Sequence, residues 1–205
     1  MTAVSLVLLV FLGHPGVLGA AELIGLEVDQ AGKTYRVRLE MELDATTDRV
    51  HAVLTDYRQI HRLNPAIVES YLLPSPDGIS ARVYTRMESC VLFYCTGFSR
   101  VEDVRQRGPG EITAVIVPGL SDFKSGTAVW RIHASGNRSR LVYEASMQPD
   151  LFIPPLLGSY LLKQKLRDEL LVSFKRIECC AKSRLRVSDH RVDGEPNPAQ
   201  RPRVC

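Results

Sequence analysis

Apolar and polar residues alternate strictly over residues 33–43. Tyr35, Val37, Leu39, Met41 and Leu43 fall on one side, and Arg36, Arg38, Glu40 and Glu42 on the other. A repeat of two marks a strand with one buried and one wet face. After Asp44 the pattern changes. Thr46 or Thr47 can cap a short helix that carries Asp48 in its first turn and runs to Leu54. A second short helix is predicted over 56–60 and is ended by Asn64-Pro65. Strand patterns recur at 67–73, 79–88, 92–104, 111–117, 125–133 and 140–147. Turn residues separate them, notably Pro74-Ser75-Pro76-Asp77-Gly78, Gln106-Arg107-Gly108-Pro109-Gly110 and Ser135-Gly136-Asn137.

The last third changes to a helical repeat. Leu162, Leu166, Leu170, Phe174, Ile177 and Ala181 share one face, and Lys163, Lys165, Arg167, Asp168, Glu169, Lys175 and Arg176 occupy the other. This predicts an amphipathic helix over 156–181, about 35–40 Å long. The order is strand, two helices, six antiparallel strands, long helix. We therefore expect an α+β fold, with a curved antiparallel sheet of about seven strands wrapped around the long C-terminal helix. A single helix held across such a sheet usually leaves a cavity between the two, so ligand binding is the leading functional expectation.

Length and charge narrow this further. The 205 residues suit one domain, and 45% hydrophobic with 24% charged residues suits a globular core. The net charge is +3. Residues 182–205 hold six Lys/Arg and three Asp/Glu, so this stretch accounts for the whole excess. The remainder is near neutral, which argues against a nucleic-acid surface. The domain is expected over 33–181, followed by a disordered basic tail over 182–205. That tail offers peripheral contact with anionic lipid surfaces. Residues 1–20 hold a short apolar run between Val4 and Leu12, then Gly13, Pro15, Gly16 and Gly19-Ala20-Ala21. The run is short for a bilayer span. It reads as a signal peptide, giving an exported, periplasmic or secreted protein, with an uncleaved membrane anchor as the alternative. A monomer is expected.

Cys90 and Cys95 flank Val91-Leu92-Phe93-Tyr94. A hairpin or bulge there could join them in a disulfide in an oxidising compartment, and two small buried residues are the plainer reading. There is no C-x-x-C, and His51, His61 and His133 are scattered. No metal site or cofactor is expected.

The element order, together with particular residues, resembles the START-like (SRPBCC) superfamily. These residues are Val53-Leu54-Thr55-Asp56-Tyr57, Leu63-Asn64-Pro65, Cys90 with Phe93-Tyr94-Cys95, Val117-Pro118, Ser121-Asp122-Phe123, Gly126, Trp130, Pro149-Asp150 and Ile153-Pro154-Pro155. The likeness covers 33–181 and points to the bacterial branch of polyketide cyclase/dehydrase or coenzyme Q-binding START-domain proteins. It implies the helix-grip fold. It does not fix a function, because the superfamily carries lipids, quinones and hormones and also cyclises polyketides on one scaffold.

Strand phase then suggests a site. Ala128, Trp130 and Ile132 share a face, as do Leu141, Tyr143, Ala145 and Met147, with Arg131, Glu144 and Ser146 opposite. A ligand pocket is expected from Trp130, Ile132, Leu141, Tyr143, Met147, Leu166 and Leu170. Trp130 and Tyr143 combine an apolar body with a polar tip and could orient a ligand, or could be core residues alone. Arg82, Tyr84, Arg86 and Glu88 read as a solvated face. Asp122 is the weak candidate for a general base, with Asp150 behind it, and both could equally cap turns. The first expectation is a carrier of a hydrophobic small molecule, lipid or quinone. The alternative is a polyketide cyclase/dehydrase using acid–base positioning. A ribosome-associated interaction role is the third class, and export argues against it.

Overall fold

The computed structural model describes residues 21–76, 78, 81–91, 94–150 and 158–188. The expected signal peptide or anchor, Leu92-Phe93, Ile153-Pro154-Pro155 and most of the basic tail lie outside these residues. Eight strands form one antiparallel sheet. They are β1 (Glu22–Ala31), β2 (Thr34–Leu43), β3 (Ile67–Leu73), β4 (Ala81–Val91), β5 (Tyr94–Arg107), β6 (Glu111–Ile116), β7 (Phe123–Ser135) and β8 (Arg138–Pro149). Two helices accompany them, α1 (Thr47–Leu54) and α2 (Gly158–Ser188), with a short 3-10 helix at Tyr57–Arg62.

The spatial order is β1-β2-β8-β7-β6-β5-β4-β3. The chain makes a hairpin at one edge, crosses through α1 and the 3-10 helix to the far edge, and returns by a six-strand meander that closes on β2. The hairpins β1–β2 and β7–β8 each have a two-residue loop opening with glycine, Gly32-Lys33 and Gly136-Asn137. Both glycines lie at positive φ, 60° and 61°, the left-handed conformation that tight hairpin turns require.

The inner face of the sheet follows the sequence alternation. In β2, Tyr35, Val37, Leu39, Met41 and Leu43 are all buried, Leu39 and Leu43 completely. The outer face carries charges of alternating sign. Arg38 and Arg131 both pair with Glu144, Arg131 reaches Glu111 at 3.5 Å, Arg138 reaches Glu42 at 3.4 Å, and Arg140 pairs with Glu40. Such exposed pairs contribute little stability each. They keep the outer face wet and so define which side is the core.

Two expectations are corrected and a third is met. The sheet has eight strands rather than seven, because Glu22–Ala31 pairs with β2 through Val28↔Val37 and Leu26↔Leu39. Helix α2 runs to Ser188, beyond Ala181, so 182–188 is helical and not disordered tail. Lys182 lies 2.8 Å from Asp44 and 3.1 Å from Glu178, which ties this extension to the domain. The expected Cys90–Cys95 link is present, through the hairpin of the two alternatives. The two residues face each other across the β4–β5 hairpin, one pair below its end, with Cα atoms 4.0 Å apart and sulfurs joined.

Gly126 sits where β7 passes closest to its neighbours. A Cβ there would lie 2.3 Å from Ile116 Cδ1 and 3.3 Å from the Ser146 carbonyl. Gly126→Ala should lower stability by about 1–3 kcal/mol through overpacking. Ile116→Val removes Cδ1 and should recover much of that loss in chemical denaturation; simple addition of the two losses would show that the positions do not collide. Ile177, 4% exposed on α2, should cost about 2–5 kcal/mol on truncation to Ala. Leu166, one of the half-exposed residues of the same helix, should cost clearly less.

Candidate functional site

Helix α2 is deeply seated at its C-terminal end. Phe174, Ile177 and Ala181 are buried, at 3%, 4% and 0% exposure. Leu162, Leu166 and Leu170 on the same stripe are only half-buried. A polar pin explains the seated end. Glu178 is buried, and its carboxylate accepts from the backbone N–H of Ala21 at 2.9 Å and of Asp44 at 3.0 Å. One side chain therefore binds α2 to the start of β1 and to the turn after β2. Helix α1 packs against the same part of α2 and against β7 and β8, which fills that end of the fold.

Toward its N-terminus α2 stands off from the sheet, and the sheet residues below are short. Ala145, Ala128 and Ala114 lie side by side on β8, β7 and β6, and Gly126 is in the next row. The gap is a cavity of about 300 Å³, roughly ten water volumes and at the small end of ligand-pocket sizes. Its lining is mostly apolar and includes Ile112, Ala114, Trp130, Met147, Leu166 and Phe174. Trp130 and Tyr143 pack with ring centroids 5.0 Å apart, and Tyr143 meets Phe174 at 6.2 Å.

Polar groups enter this apolar space from three sides. Arg100 and Glu102 project from the inner face of β5, with Arg100 Nε 3.1 Å from Glu102 Oε2. The Arg100 Nε–H is buried and makes no hydrogen bond, so its contact with Glu102 is ionic rather than directed. Opposite stands Tyr143. Burial pushes its phenol up to about 12, with Arg100 opposing the shift and Glu102 adding to it. The hydroxyl therefore keeps its proton at neutral pH. Burial also raises the phenols of Tyr35 and Tyr57, and Tyr57 accepts a 2.9 Å hydrogen bond from Gln106, which lowers it again. Near the half-exposed end, Ser89 donates to Glu169 at 2.9 Å, and Lys165 lies 3.4 Å from Glu169. These contacts join the disulfide-bearing hairpin to α2.

The expected pocket residues divide into two groups. Trp130, Tyr143, Met147, Leu166 and Leu170 line the cavity. Ile132 and Leu141 do not. They pair with each other under α1, where the sheet is packed solid, and Leu141 is fully buried. Asp122 is displaced further. Its carboxylate accepts from the Ser99 N–H at 2.6 Å and the Ser99 hydroxyl at 2.9 Å. Ser99 alternates with Phe98 and Arg100, so Asp122 is bound on the outer side of β5 and is no general base for the cavity. Asp150 is exposed and reaches Lys124 at 3.4 Å. Arg82 pairs with Asp103, Arg86 with Glu69 and Glu88, and Tyr84 stacks on Tyr71, all on the outer face. Among the described residues no group of three His, Cys, Asp or Glu could hold a metal ion, and no helix is long and apolar enough to cross a membrane.

Sequence reasoning missed Arg100 and Glu102. Both faces of β5 mix polar and apolar residues, so its phase cannot be read alone. Pairing with β4 supplies it: Thr85 faces Arg100 and Val83 faces Glu102, and both β4 residues are buried.

No curated protein matches the chain by sequence. In fold it is similar to a START superfamily protein from Mycobacterium smegmatis (16% identity, 72% of this chain and 97% of that one, TM-score 0.57). It is also similar to the ZhuI aromatase/cyclase of a Streptomyces species (14%, 76% and 98%, TM-score 0.58). A third likeness is to a STAR-related lipid transfer protein fragment from Xanthomonas axonopodis (18%, 77% and 99%, TM-score 0.54). At these identities the likeness establishes the helix-grip architecture alone. The family described as polyketide cyclase / dehydrase and lipid transport matches residues 34–175, nearly the whole of the sheet and most of α2, and the chain belongs to that family.

Proposed function

We propose that this protein binds one hydrophobic small molecule, a lipid, quinone or polyketide-like compound, in the cavity between sheet and α2, and carries it unchanged. The carrying observation is the cavity itself, a largely apolar, partly open space between α2 and a sheet lined there with Ala114 and its neighbours. Burial of ligand surface supplies the affinity, at roughly 25 cal/mol per Å² of apolar area removed from water. Trp130 and Tyr143 give one wall a polar edge for orientation. The volume of about 300 Å³ suits a ring system or a single chain. The exposed Cys90–Cys95 bridge supports action in an oxidising compartment.

The second reading is a cyclase or dehydrase. It is favoured by one observation, the presence of Arg100, Glu102 and Tyr143 in a single cavity. A carboxylate and a protonated phenol could then act on a bound polyketide as base and acid.

Trp130 is the only tryptophan, so its emission reports on the site. Titration with quinones, fatty acids and polyketide-like ketones should change that emission saturably for at least one class. Ala114→Phe should fill the cavity and reduce affinity by about tenfold or more while the protein stays folded; unchanged affinity in a folded Ala114→Phe protein would place binding elsewhere.

Native mass spectrometry of the purified protein tests carriage directly, and the bound compound should be recovered with its mass unaltered. Conversion of a polyketide that stops with Glu102→Gln would instead establish the enzyme reading.

A further inference from the structure

The C-terminal seat of α2 is fully hydrogen-bonded, but its charges do not balance. Glu178 is buried there at 7% exposure. Its Oε1 accepts from the Asp44 N–H at 3.0 Å and lies 3.1 Å from the Lys182 ammonium. Lys182 is also 2.8 Å from the Asp44 carboxylate. Among the described residues, two carboxylates therefore share one ammonium, and one negative charge is left over. A carboxylate taken out of water is costly unless a full opposite charge matches it, and a backbone N–H supplies only a partial one.

The second oxygen, Glu178 Oε2, accepts from the backbone N–H of Ala21 at 2.9 Å. Ala21 packs against the core, and the sheet begins at the next residue, Glu22, paired opposite Glu42. Before it in sequence come the short apolar run between Val4 and Leu12 and then Gly19-Ala20-Ala21. Leader peptidases cut after small residues. The bonds after Gly19, Ala20 and Ala21 all qualify, and they differ in what they bring to Glu178. Scission after Gly19 puts the new ammonium on Ala20, one residue and about 3.8 Å of chain short of the contact. Scission after Ala21 removes the nitrogen that donates to Oε2. Scission after Ala20 turns that same nitrogen into an ammonium.

We propose that the leader is removed at the Ala20–Ala21 bond and that the α-ammonium of Ala21 then forms an ion pair with Glu178, balancing the charge at the seat of α2. In the hydrolysis the amide C–N bond breaks. The oxygen of one water goes to the Ala20 carbonyl carbon, and both its protons end on the Ala21 nitrogen, giving a carboxylate on the leader and an ammonium on the domain. Scission acts on the unfolded chain during export, so the burial of Ala21 in the fold does not shield the bond. The proposal rests on the signal-peptide reading of residues 1–20 and is independent of what the cavity holds.

The full chain, expressed with residues 1–20 in an exporting bacterial host, should be recovered with Ala21 as its first residue, read by intact mass and N-terminal sequencing. Another first residue, or a product that still carries residues 1–20, overturns the proposal. Two chains then test the ion pair, one beginning at Ala21 and one at Ala20, each released from an N-terminal fusion that leaves no extra residue. In chemical denaturation the chain beginning at Ala21 should have a folding equilibrium constant about tenfold larger, the order expected when a hydrogen bond becomes charge-assisted. Glu178→Gln should abolish that difference. Lys182→Met, which leaves the Ala21 ammonium to serve Glu178 and Asp44, should widen it. Equal stability of the two chains overturns the ion pair, as does a difference that survives Glu178→Gln. Where Glu178→Gln does not fold, a difference that Lys182→Met fails to widen overturns it instead.

Discussion

The architecture depends on where α2 is pinned. Its 31 residues form a stiff rod of about 46 Å, laid across a sheet that curves. A straight rod cannot follow a curved surface along its whole length, so contact must be concentrated somewhere. Glu178 determines where. Its carboxylate would be costly to bury alone, but two backbone N–H groups and Lys182 satisfy it. With that end held between β1, β2 and α1, the other end has to lift. The cavity lies between this deeply seated end and the lighter attachment of α2 to the β4–β5 hairpin through Ser89 and Glu169.

The sheet completes the arrangement with side-chain size. At the seated end, Leu39, Met41, Leu43 and Leu141 fill the inner face to the helix. Farther along, alanines take their place on three adjacent strands. Close packing is normal inside proteins, so a row of small residues opposite the raised part of the helix leaves a space that no side chain of the described residues fills. Arg100, Glu102 and Tyr143 border that space, the first two from β5 beside the small-residue strands and Tyr143 from β8, two residues along from Ala145. The charges on the opposite surface play no part in it; they mark solvent.

Much of this was legible in the residues. Strict alternation in β2 and the stripe of α2 identify a two-sided sheet and a helix that must cover it. The phases of β7 and β8 place Trp130, Tyr143 and Met147 inward. β1 was not legible because its alternation is brief: Leu26 and Val28 share the inward face with the polar Gln30, and the pairing register shifts between Leu23 and Gly25. Arg100 and Glu102 were hidden for a different reason. Charged residues on a strand ordinarily mean solvent, and only the partner strand reveals that these face inward. Asp122 misled because a carboxylate in a loop has the same appearance in sequence whether it faces the cavity or braces the outside. Ile132 and Leu141 have the right phase but lie too far toward the end that α1 closes.

The division of α2 into a seated half and a raised half separates two kinds of selection. Glu178 and Ala181 hold the solid end, Phe174 and Ile177 border both the solid end and the cavity, and most of the residues that shape the cavity lie on the raised half and the short-residue strands. Substitutions in the second group change the shape of the hollow at modest cost to stability, so one lineage can exchange its ligand without passing through an unfolded intermediate. A scaffold divided in this way can diversify in chemistry while its frame stays constant.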